Sequence, residues 1–594
     1  MTTKSIKYIV MALTVGCGTA ALTTACTEDW DDHYEGTATG ANVHSGSLWQ
    51  AIQSDAQLSN FASVVEATGY SKNLNGSQVF TVFAPTNQAF SATDAQKLIA
   101  QYRTEKKAGT REVDNTVVKE FVKNHISLYN FSVASGRSDT ITLLNGKRQP
   151  LNASGFANAS FLTSNDLYGN GVLFTLKDVV TYYPNVFEYL KKDADLTGVA
   201  SFMYDSLLYK LEFDPTQSVP DSIRDGQTVY SDSVMIQTNE LFESENLDAE
   251  LNDEDSVYWM LVPTNTEWER LKTAYTPYFN YDETFWKSQP ETQQKIGSLD
   301  SLINTKIGLA IMQGTVFSRS INTDKVLQDS AMSTNAVQYS LRRYMWGADS
   351  LHYYQYMKPL SGVMAGTTNV DCSNGRVMKA STWKIQPQQT FMRDIIIEAE
   401  SNNVIKELDS VTINSEKVAT TLPVIVQVES DNPYYNLVSN HSFMEFSQQI
   451  TTGNTQHGAT FYVRDVLSNV PYDIYLQMVP ALAGDTAAND LDRSKIKLLC
   501  ELSYRQANGK TKKENLGNGS ASTPFETEKD AVDRILIKAG HVFDVCSYGV
   551  DETEPQVTIK VKTFVSDDEM KETADPRYQR TMRIDCIILK PHVE

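Results

Sequence analysis

Positive charge is in deficit in this 594-residue chain: 52 Lys and Arg stand against 73 Asp and Glu, for a formal net charge of −21. No basic stripe is present that could neutralise phosphates, so nucleic acid is excluded as an expected partner, and anionic lipid surfaces are disfavoured for the same reason. Cysteine and histidine are scarce as well, at six and eight residues. Their spacing offers no C-x-x-C pair and no Cys/His set suited to zinc, so no metal and no other cofactor is expected. G-x-S-x-G, H-E-x-x-H, a glycine-rich phosphate loop and a redox pair are all missing, and the chain is therefore read as non-catalytic. With 73 acids in the chain, carboxylate pairs are unavoidable and indicate nothing without geometry.

Apolar and aromatic residues, at 41% and 10%, are by contrast ample for packed cores, and the length calls for several of them. The expectation is a multidomain α+β protein. Its first residues are Lys4 and Lys7, an apolar run from Tyr8 to Val15, and small residues ending Leu22-Thr23-Thr24-Ala25-Cys26. That is the pattern of an export signal, too short to span a bilayer. Cysteine immediately after the cleavage site resembles the lipobox of bacterial lipoproteins, with Thr23 where those commonly carry Leu; Cys17 is the rival position. The resemblance implies cleavage after residue 25 and diacylation of Cys26, which supplies enough acyl chain for stable anchoring. Residues 26–46 then form an acidic tether, Thr27-Glu28-Asp29-Trp30-Asp31-Asp32-His33-Tyr34-Glu35 and then a stretch from Gly36 to Gly46. It resembles the export signal that carries Bacteroidota-type lipoproteins to the outer face of the outer membrane, although a solvated linker has the same composition. No later stretch has the roughly 18–20 apolar residues of a transmembrane helix.

An internal repeat organises the next 350 residues or so. Leu48-Trp49, Ile52, Leu58-Ser59 and Phe61-Ala62-Ser63-Val64-Val65 return 138 residues later as Val186-Phe187, Leu190, Leu196-Thr197 and Val199-Ala200-Ser201-Phe202-Met203. The apolar spacing predicts an amphipathic helix and then a second in each copy. Phe80-Thr81-Val82-Phe83-Ala84-Pro85-Thr86-Asn87 recurs as Tyr258-Trp259-Met260-Leu261-Val262-Pro263-Thr264-Asn265, offset by 178, so the second copy holds 40 extra residues between the two landmarks. The β-branched and aromatic run predicts a buried strand stopped by Pro, with Thr or Asn capping the next helix. Asn170-Gly171-Val172-Leu173 and Asn374-Gly375-Arg376-Val377 close the copies, each a turn and a strand.

These residues resemble the fasciclin domain, whose signature joins a T-V-F-A-P-T-N-x-A-F segment, a mid-domain Asn-His and a closing N-G-V strand. Thr81 to Phe90, Asn124-His125, Asn145-Gly146 and Asn170-Gly171 carry the match across residues 47–183. His125 is read as completing a polar contact in the core rather than as a base. Residues 184–401 are read as a diverged fasciclin-like domain, with Trp268 in place of the final Phe, no histidine equivalent and an acidic insertion at about 207–255. The resemblance implies two α/β wedge domains. The acids of the insertion lack the Asp/Asn-x-Asp-x-Gly geometry of a calcium loop and read as solvated.

From residue 402 the texture changes to short alternating strands: Leu422 to Val428, Thr460 to Val463, Ile474 to Val479, Ile496 to Leu502, Arg534 to Lys538, Val557 to Thr563 and Met582 to Leu589. Seven strands across 402–594 predict an all-β, jelly-roll-like sandwich. Phe461 to Ser468 with Tyr472 to Tyr475 resembles the C-terminal sandwich of fasciclin-bearing surface lipoproteins, and Arg583 to Pro591 is similar to the last strand of jelly-roll carbohydrate-binding modules. Cys500, Cys546 and Cys586 lie within apolar strand patterns and read as buried thiols, an oxidised pair being the alternative.

Two aromatic clusters are candidate ligand sites, because a sugar face stacks on Tyr or Trp while Asn or Asp bonds its hydroxyls. One is Tyr344, Trp346, Tyr353 and Tyr354, with Tyr339, His352 and Tyr356 nearby. The other is Tyr434 and Tyr435, with Asn432, Asn436 and Asn440. Burial in a core and ordinary turn chemistry are the competing readings. The functional expectation is an outer-membrane surface lipoprotein that binds without catalysis, capturing polysaccharide beside a Sus-like outer-membrane uptake system. Cell or matrix adhesion, or a structural place on a transporter, are the alternatives.

Overall fold

The structure, a computed structural model, describes residues 42–592 apart from 135, 225–226, 244–245, 289–296, 336–354, 402, 451–456 and 551–555. Cys26 and the tether lie outside the described residues. The chain divides into two compact units, Met1–Pro184 and Asn185–Glu594.

In the first unit the helix Leu48–Ser54 begins at Ser47, whose hydroxyl accepts from Gln50 N while the Gln50 side chain accepts from Ser47 N. This reciprocal cap satisfies two backbone donors at the helix start. Leu48, Trp49 and Ile52 fall on its inner face, and the next helix, Ser59–Ala67, buries Phe61, Ala62, Val64 and Val65. Both pack on a mixed sheet ordered Ile126–Leu128, Phe80–Pro85, Gly171–Leu176, Ala159–Tyr168, Gly155–Phe156, Arg148–Asn152 and Ser138–Thr142, with Asn42–Val43 added beside Ala159–Tyr168. Phe80–Pro85 and Gly171–Leu176 pair in parallel and are buried at every residue, as their unbroken apolar runs require. Gly171 is obligatory at this junction: its φ is +147°, and a Cβ there would sit 1.9 Å from Phe80 O.

The second unit begins with the same construction. Asn185 and Glu188 form the reciprocal cap of Val186–Lys192, and Tyr258–Pro263 pairs in parallel with Gly375–Ala380 and antiparallel with Val316–Ser318. Gly375, at φ +143°, would place a Cβ 1.8 Å from Tyr258 O. The closing asparagines do identical work. Asn170 Oδ1 accepts from Leu48 N at 2.7 Å and its Nδ2 donates to the carbonyls of Leu74 and Gly76. Asn374 Oδ1 accepts from Val186 N at 2.8 Å, and its Nδ2 donates to the carbonyls of Leu251 and Asp253.

The expectation that Thr or Asn caps the next helix holds by position in the second copy, where Thr264 is the N-cap of Asn265–Tyr275 without a side-chain hydrogen bond, and fails in the first; in both copies the asparagine is used elsewhere. Asn87 Oδ1 accepts from Asn60 N while its Nδ2 donates to Ala56 O, and Asn265 bridges Gly198 N and Ala194 O in the same way. It therefore stitches the strand end to the second helix and to the single turn that precedes that helix, and in the first copy Ser91 caps Ala92–Lys107.

The 40 extra residues contain a long antiparallel hairpin, Tyr209–Arg224 with Gln227–Asn239. The acidic segment after the hairpin is only partly solvated: Leu241, Phe242, Leu247, Ala249 and Leu251 enter the core between the acids.

The C-terminal strands form two antiparallel six-stranded sheets. One runs Thr421–Gln427, Ser442–Gln448, Met582–Pro591, Pro471–Met478 and Asp533–Val542, with Ile395–Glu398 also on Met582–Pro591; the other runs Ile405–Leu408, Gly458–Val463, Val557–Thr563, Lys497–Arg505 and Thr511–Leu516, with Phe525–Glu526 on Lys497–Arg505. All seven strands expected from alternation are present. The sheets meet through side chains such as Phe446 and Phe461, edge to face at 6.0 Å.

This sandwich shares one continuous hydrophobic core with the preceding part of the unit. Segment Pro277–Asp282 joins them. Asn280 Nδ2 donates to Asp544 O, Cys546 N to Asn280 O, and the Tyr281 hydroxyl to Tyr548 O, while Asp282 pairs with Arg505 at 3.0 Å. None of the four described cysteines is in a disulfide, and Cys500, Cys546 and Cys586 are buried. No helix among the described residues is long and apolar enough to cross a membrane.

Candidate ligand-binding site

The loop between strands Thr421–Gln427 and Ser442–Gln448 carries the second aromatic cluster. Asn432 is buried and acts structurally: its Nδ2 donates to the carbonyls of Leu482 and Ala483, and its Oδ1 accepts from Tyr434 N. Tyr434 and Tyr435 are half-buried rather than fully exposed. The Tyr434 hydroxyl donates to Asp530 O at 2.7 Å, and the Tyr435 ring lies flat on His441, with centroids 3.6 Å apart. Asn440 and His441 both take left-handed backbone conformations, φ 50° and 55°, which return the chain to the next strand. Asn436 and Asn440 remain exposed.

Tyr434 leads to a polar cleft among Asp492, Arg493, Glu528, Asp530, Gln579 and Arg583 that encloses about 20 Å³, room for one water molecule. Its charges are largely matched. Arg493 grips Asp530 through two hydrogen bonds of 3.0 and 2.5 Å, which holds the Asp530 carboxyl below its usual range, and Arg583 donates to Glu445 at 2.7 Å. Such a surface offers donors and acceptors to neutral hydroxyls better than it attracts a free ion.

Beneath the loop lies a group of residues that sequence reasoning did not single out. Ser439 N donates to both oxygens of Asp585 at 3.1 Å, Gln477 Nε2 donates to Asp585 at 2.7 Å, the Ser439 hydroxyl to Glu398 at 2.6 Å, and the Ser442 hydroxyl to Glu400 at 2.9 Å. Asp585 is 0% exposed. A bulge in the central strand explains how an acid and its neighbour Cys586 face the same group: Gln477 pairs with Cys586 and Met478 with Ile584, so Asp585 is the extra residue. Cys586 in turn pairs with Glu398 across the sheet.

Burial pushes Glu398 up to about 7 and Asp585 up to about 8, each further raised by the neighbouring carboxyls, and raises Glu400 as well. Glu398 Oε2 and Glu400 Oε2 are buried without a hydrogen-bond partner. Ligand atoms of Glu398, Asp585 and Cys586 lie within 4.8 Å of one another, so among the described residues these three could hold a metal ion. The signal available beforehand was a charge inside an apolar strand, Asp585 among Ile584, Ile587 and Ile588, and Glu398 directly after three isoleucines.

Of the first aromatic cluster, Tyr344, Trp346, Tyr353 and Tyr354 lie outside the described residues. Its neighbour Tyr356 is core, buried against Phe317 with its hydroxyl donating to Gly314 O. His125 is fully buried within the first unit. Its Nδ1 bonds Phe121 O at 2.7 Å and its Nε2 accepts from Val180 N at 3.2 Å, so both nitrogens are spent on backbone. Burial lowers it to about 4.

Comparison with known proteins places one part of the chain. Residues 56–182 match the fasciclin domain family. Among solved structures, the chain is similar to a FAS1 domain pair from the insect cell adhesion molecule fasciclin I, at 10% identity and a TM-score of 0.16, over 58% of this chain and 97% of that one. It is also similar to the CBM22-1–GH10 modules of the Clostridium thermocellum xylanase 10B, complexed with xylohexaose, at 9% identity and a TM-score of 0.17, over 32% of this chain and 29% of that one. At these TM-scores neither likeness bears on fold or function. No curated protein matches. The fasciclin domain at 56–182 fits a binding or adhesion role.

Proposed function

We propose that the protein is a non-catalytic binding protein, lipidated at Cys26, displayed on the outer face of a bacterial outer membrane, and adhesive toward a matrix or another cell through its fasciclin domain. The observation that carries this reading is the fasciclin domain at residues 56–182. Residues 184–401 act as a second, diverged copy, a reading supported by the matching caps, parallel strand pair and asparagine bridges of Asn185, Asn265 and Asn374. Deleting the gene should lower attachment without slowing growth on any glycan; unchanged attachment overturns the adhesive role. Replacing Cys26 by Ala should release the protein in soluble form, and continued membrane retention would move the anchor to another residue.

A second reading, glycan capture beside a Sus-like uptake system, rests on the polar cleft at Asp492, Arg493 and Gln579 next to the Tyr434–Tyr435 loop. Sugar hydroxyls would exchange hydrogen bonds in the cleft while a ring packs against the tyrosines. Isothermal titration of the folded protein against a panel of polysaccharides tests it, and a panel without heat of binding removes it.

A further inference from the structure

Asp585 and Cys586 lie fully buried beside Glu398, whose outer carboxylate oxygen, Oε2, is sealed from solvent without a hydrogen-bond partner although both Asp585 oxygens accept from Ser439 N. No Lys, Arg or His forms an ion pair with Glu398, Glu400 or Asp585 among the described residues. The Cys586 thiol has no hydrogen-bond partner there either, although its ligand atom lies within 4.8 Å of both carboxylates. Arg534 donates its Nε to the Gln477 side chain and acts electrostatically on Asp585 and Cys586.

Two carboxylates buried side by side carry a desolvation and repulsion cost that must be removed by a proton or by a cation. Protonation removes charge but leaves the Oε2 atoms of Glu398 and Glu400 without donors. A cation removes the charge and uses the lone pairs at once. We propose that Glu398, Asp585 and Cys586 form a binding site for a divalent cation of the zinc class, with a fourth position left to water.

The donor set selects the class. Carboxylate oxygens alone would favour a hard ion, whereas a thiolate among them favours a borderline ion such as Zn²⁺. Zn–O and Zn–S bonds of about 2.0–2.3 Å place tetrahedral ligands roughly 3.5 Å apart, so side-chain shifts on the order of 1 Å close the observed cluster onto an ion. The thiol proton, and any protons held by the carboxyls, leave to solvent as the bonds form. Because Asp585 and Glu398 both hold Ser439, the ion would also fasten the loop bearing Tyr434 and Tyr435.

The test uses the full chain, stripped with a chelator and titrated at neutral pH with Zn²⁺, Co²⁺ or Ca²⁺ alone. One equivalent of Co²⁺ should bind with a thiolate-to-cobalt charge-transfer band, and Zn²⁺ should displace it. Cys586→Ala should abolish the band, and Asp585→Asn should weaken Co²⁺ by at least about tenfold. Near-ultraviolet circular dichroism of each variant establishes that it is folded, and Cys586→Ser, which keeps the side-chain size, repeats the measurement should the alanine variant unfold. Failure of the wild-type chain to take up Co²⁺ or Zn²⁺ overturns the proposal. So does Ca²⁺ binding without a cobalt–thiolate band, or a band that survives loss of Cys586.

Discussion

His125 and the Glu398–Asp585 pair are titratable groups inside β-rich units, His125 and Asp585 fully buried and Glu398 largely so, yet they are treated differently. The imidazole meets a carbonyl on one nitrogen and a backbone N–H on the other, and it stands against Phe61 and Phe121 with ring centroids 5.8 and 4.7 Å away. Nothing in its bonding capacity is left over. Asp585 is fully hydrogen-bonded, but Glu398 and its neighbour Glu400 each keep a buried oxygen with no donor, and the three carboxyls face one another's like charge. The contrast teaches how a structural polar group differs from a ligand-seeking one: complete satisfaction makes burial tolerable, and incomplete satisfaction leaves a demand for a proton or an ion.

The second unit shows that the histidine is replaceable. Strand register pairs Val82 with Ile126 and Met260 with Val316, so Thr315 occupies the place of His125, and its hydroxyl donates to Met312 O at 2.7 Å. A hydroxyl and an imidazole thus both serve a backbone carbonyl of the preceding helix. Neither arrangement needs a reaction to explain it.

The largest expected break in the comparison comes from His125→Ala. It opens a cavity and orphans the Phe121 carbonyl and the Val180 N–H, so the first unit should lose about 3–5 kcal/mol in denaturant unfolding. A loss below about 1 kcal/mol would mean that the polar contact is dispensable.

Opposite pH responses sharpen the comparison next. His125 titrates near 4 when folded and near 6.5 when unfolded, so the unfolded chain takes the proton first, and the first unit should lose stability as pH falls from 6.5 toward 4. Glu398 and Asp585, at about 7 and about 8, keep protons that the unfolded chain has released near 4.5 and 3.8. The sandwich, with chelator present, should therefore lose stability as pH climbs from about 4 to about 8. Calorimetry across that range checks both signs.

A smaller effect is expected from Glu398→Gln, which removes one of the like charges and can donate to Asp585. It should raise the stability of the second unit at pH 8 by about 1–2 kcal/mol and flatten its pH slope. Smallest is Tyr434→Phe, which loses one half-exposed hydrogen bond to Asp530 O and should cost about 0.5–1 kcal/mol by thermal melting. A much greater loss there would mean that the loop is braced through that hydroxyl and not through the carboxyls.

Much of the fold could be read from the residues because it rests on local periodicity. Alternation along Thr460 to Val463 or Val557 to Thr563 is set by which face is buried, and the unbroken runs at Phe80 and Val172 mark strands covered on both sides. The partners of individual polar groups were less legible. Thr or Asn of Pro-Thr-Asn read as a helix cap, but which backbone atoms Asn87 and Asn265 reach depends on segments that precede them by about thirty and seventy residues. The loop at Tyr434 was visible as an aromatic and Asn-rich turn, while the carboxyls under it were not, since Glu398, Ser439 and Asp585 are far apart along the chain.

By itself the sequence determined the repeat, the strand and helix periods, the glycines at 171 and 375 that the parallel strand approach demands, and the absence of a basic face. All of these depend on side-chain size, polarity and spacing, which act over a few residues. The tertiary structure alone decided that Asn185–Glu594 is one compact unit with a shared core, and that a one-residue bulge aims Asp585 at Glu398 and Cys586. A bulge changes the face of every later residue in the strand without any change in composition. Its outcome depends on the register of three paired strands, which no local pattern contains.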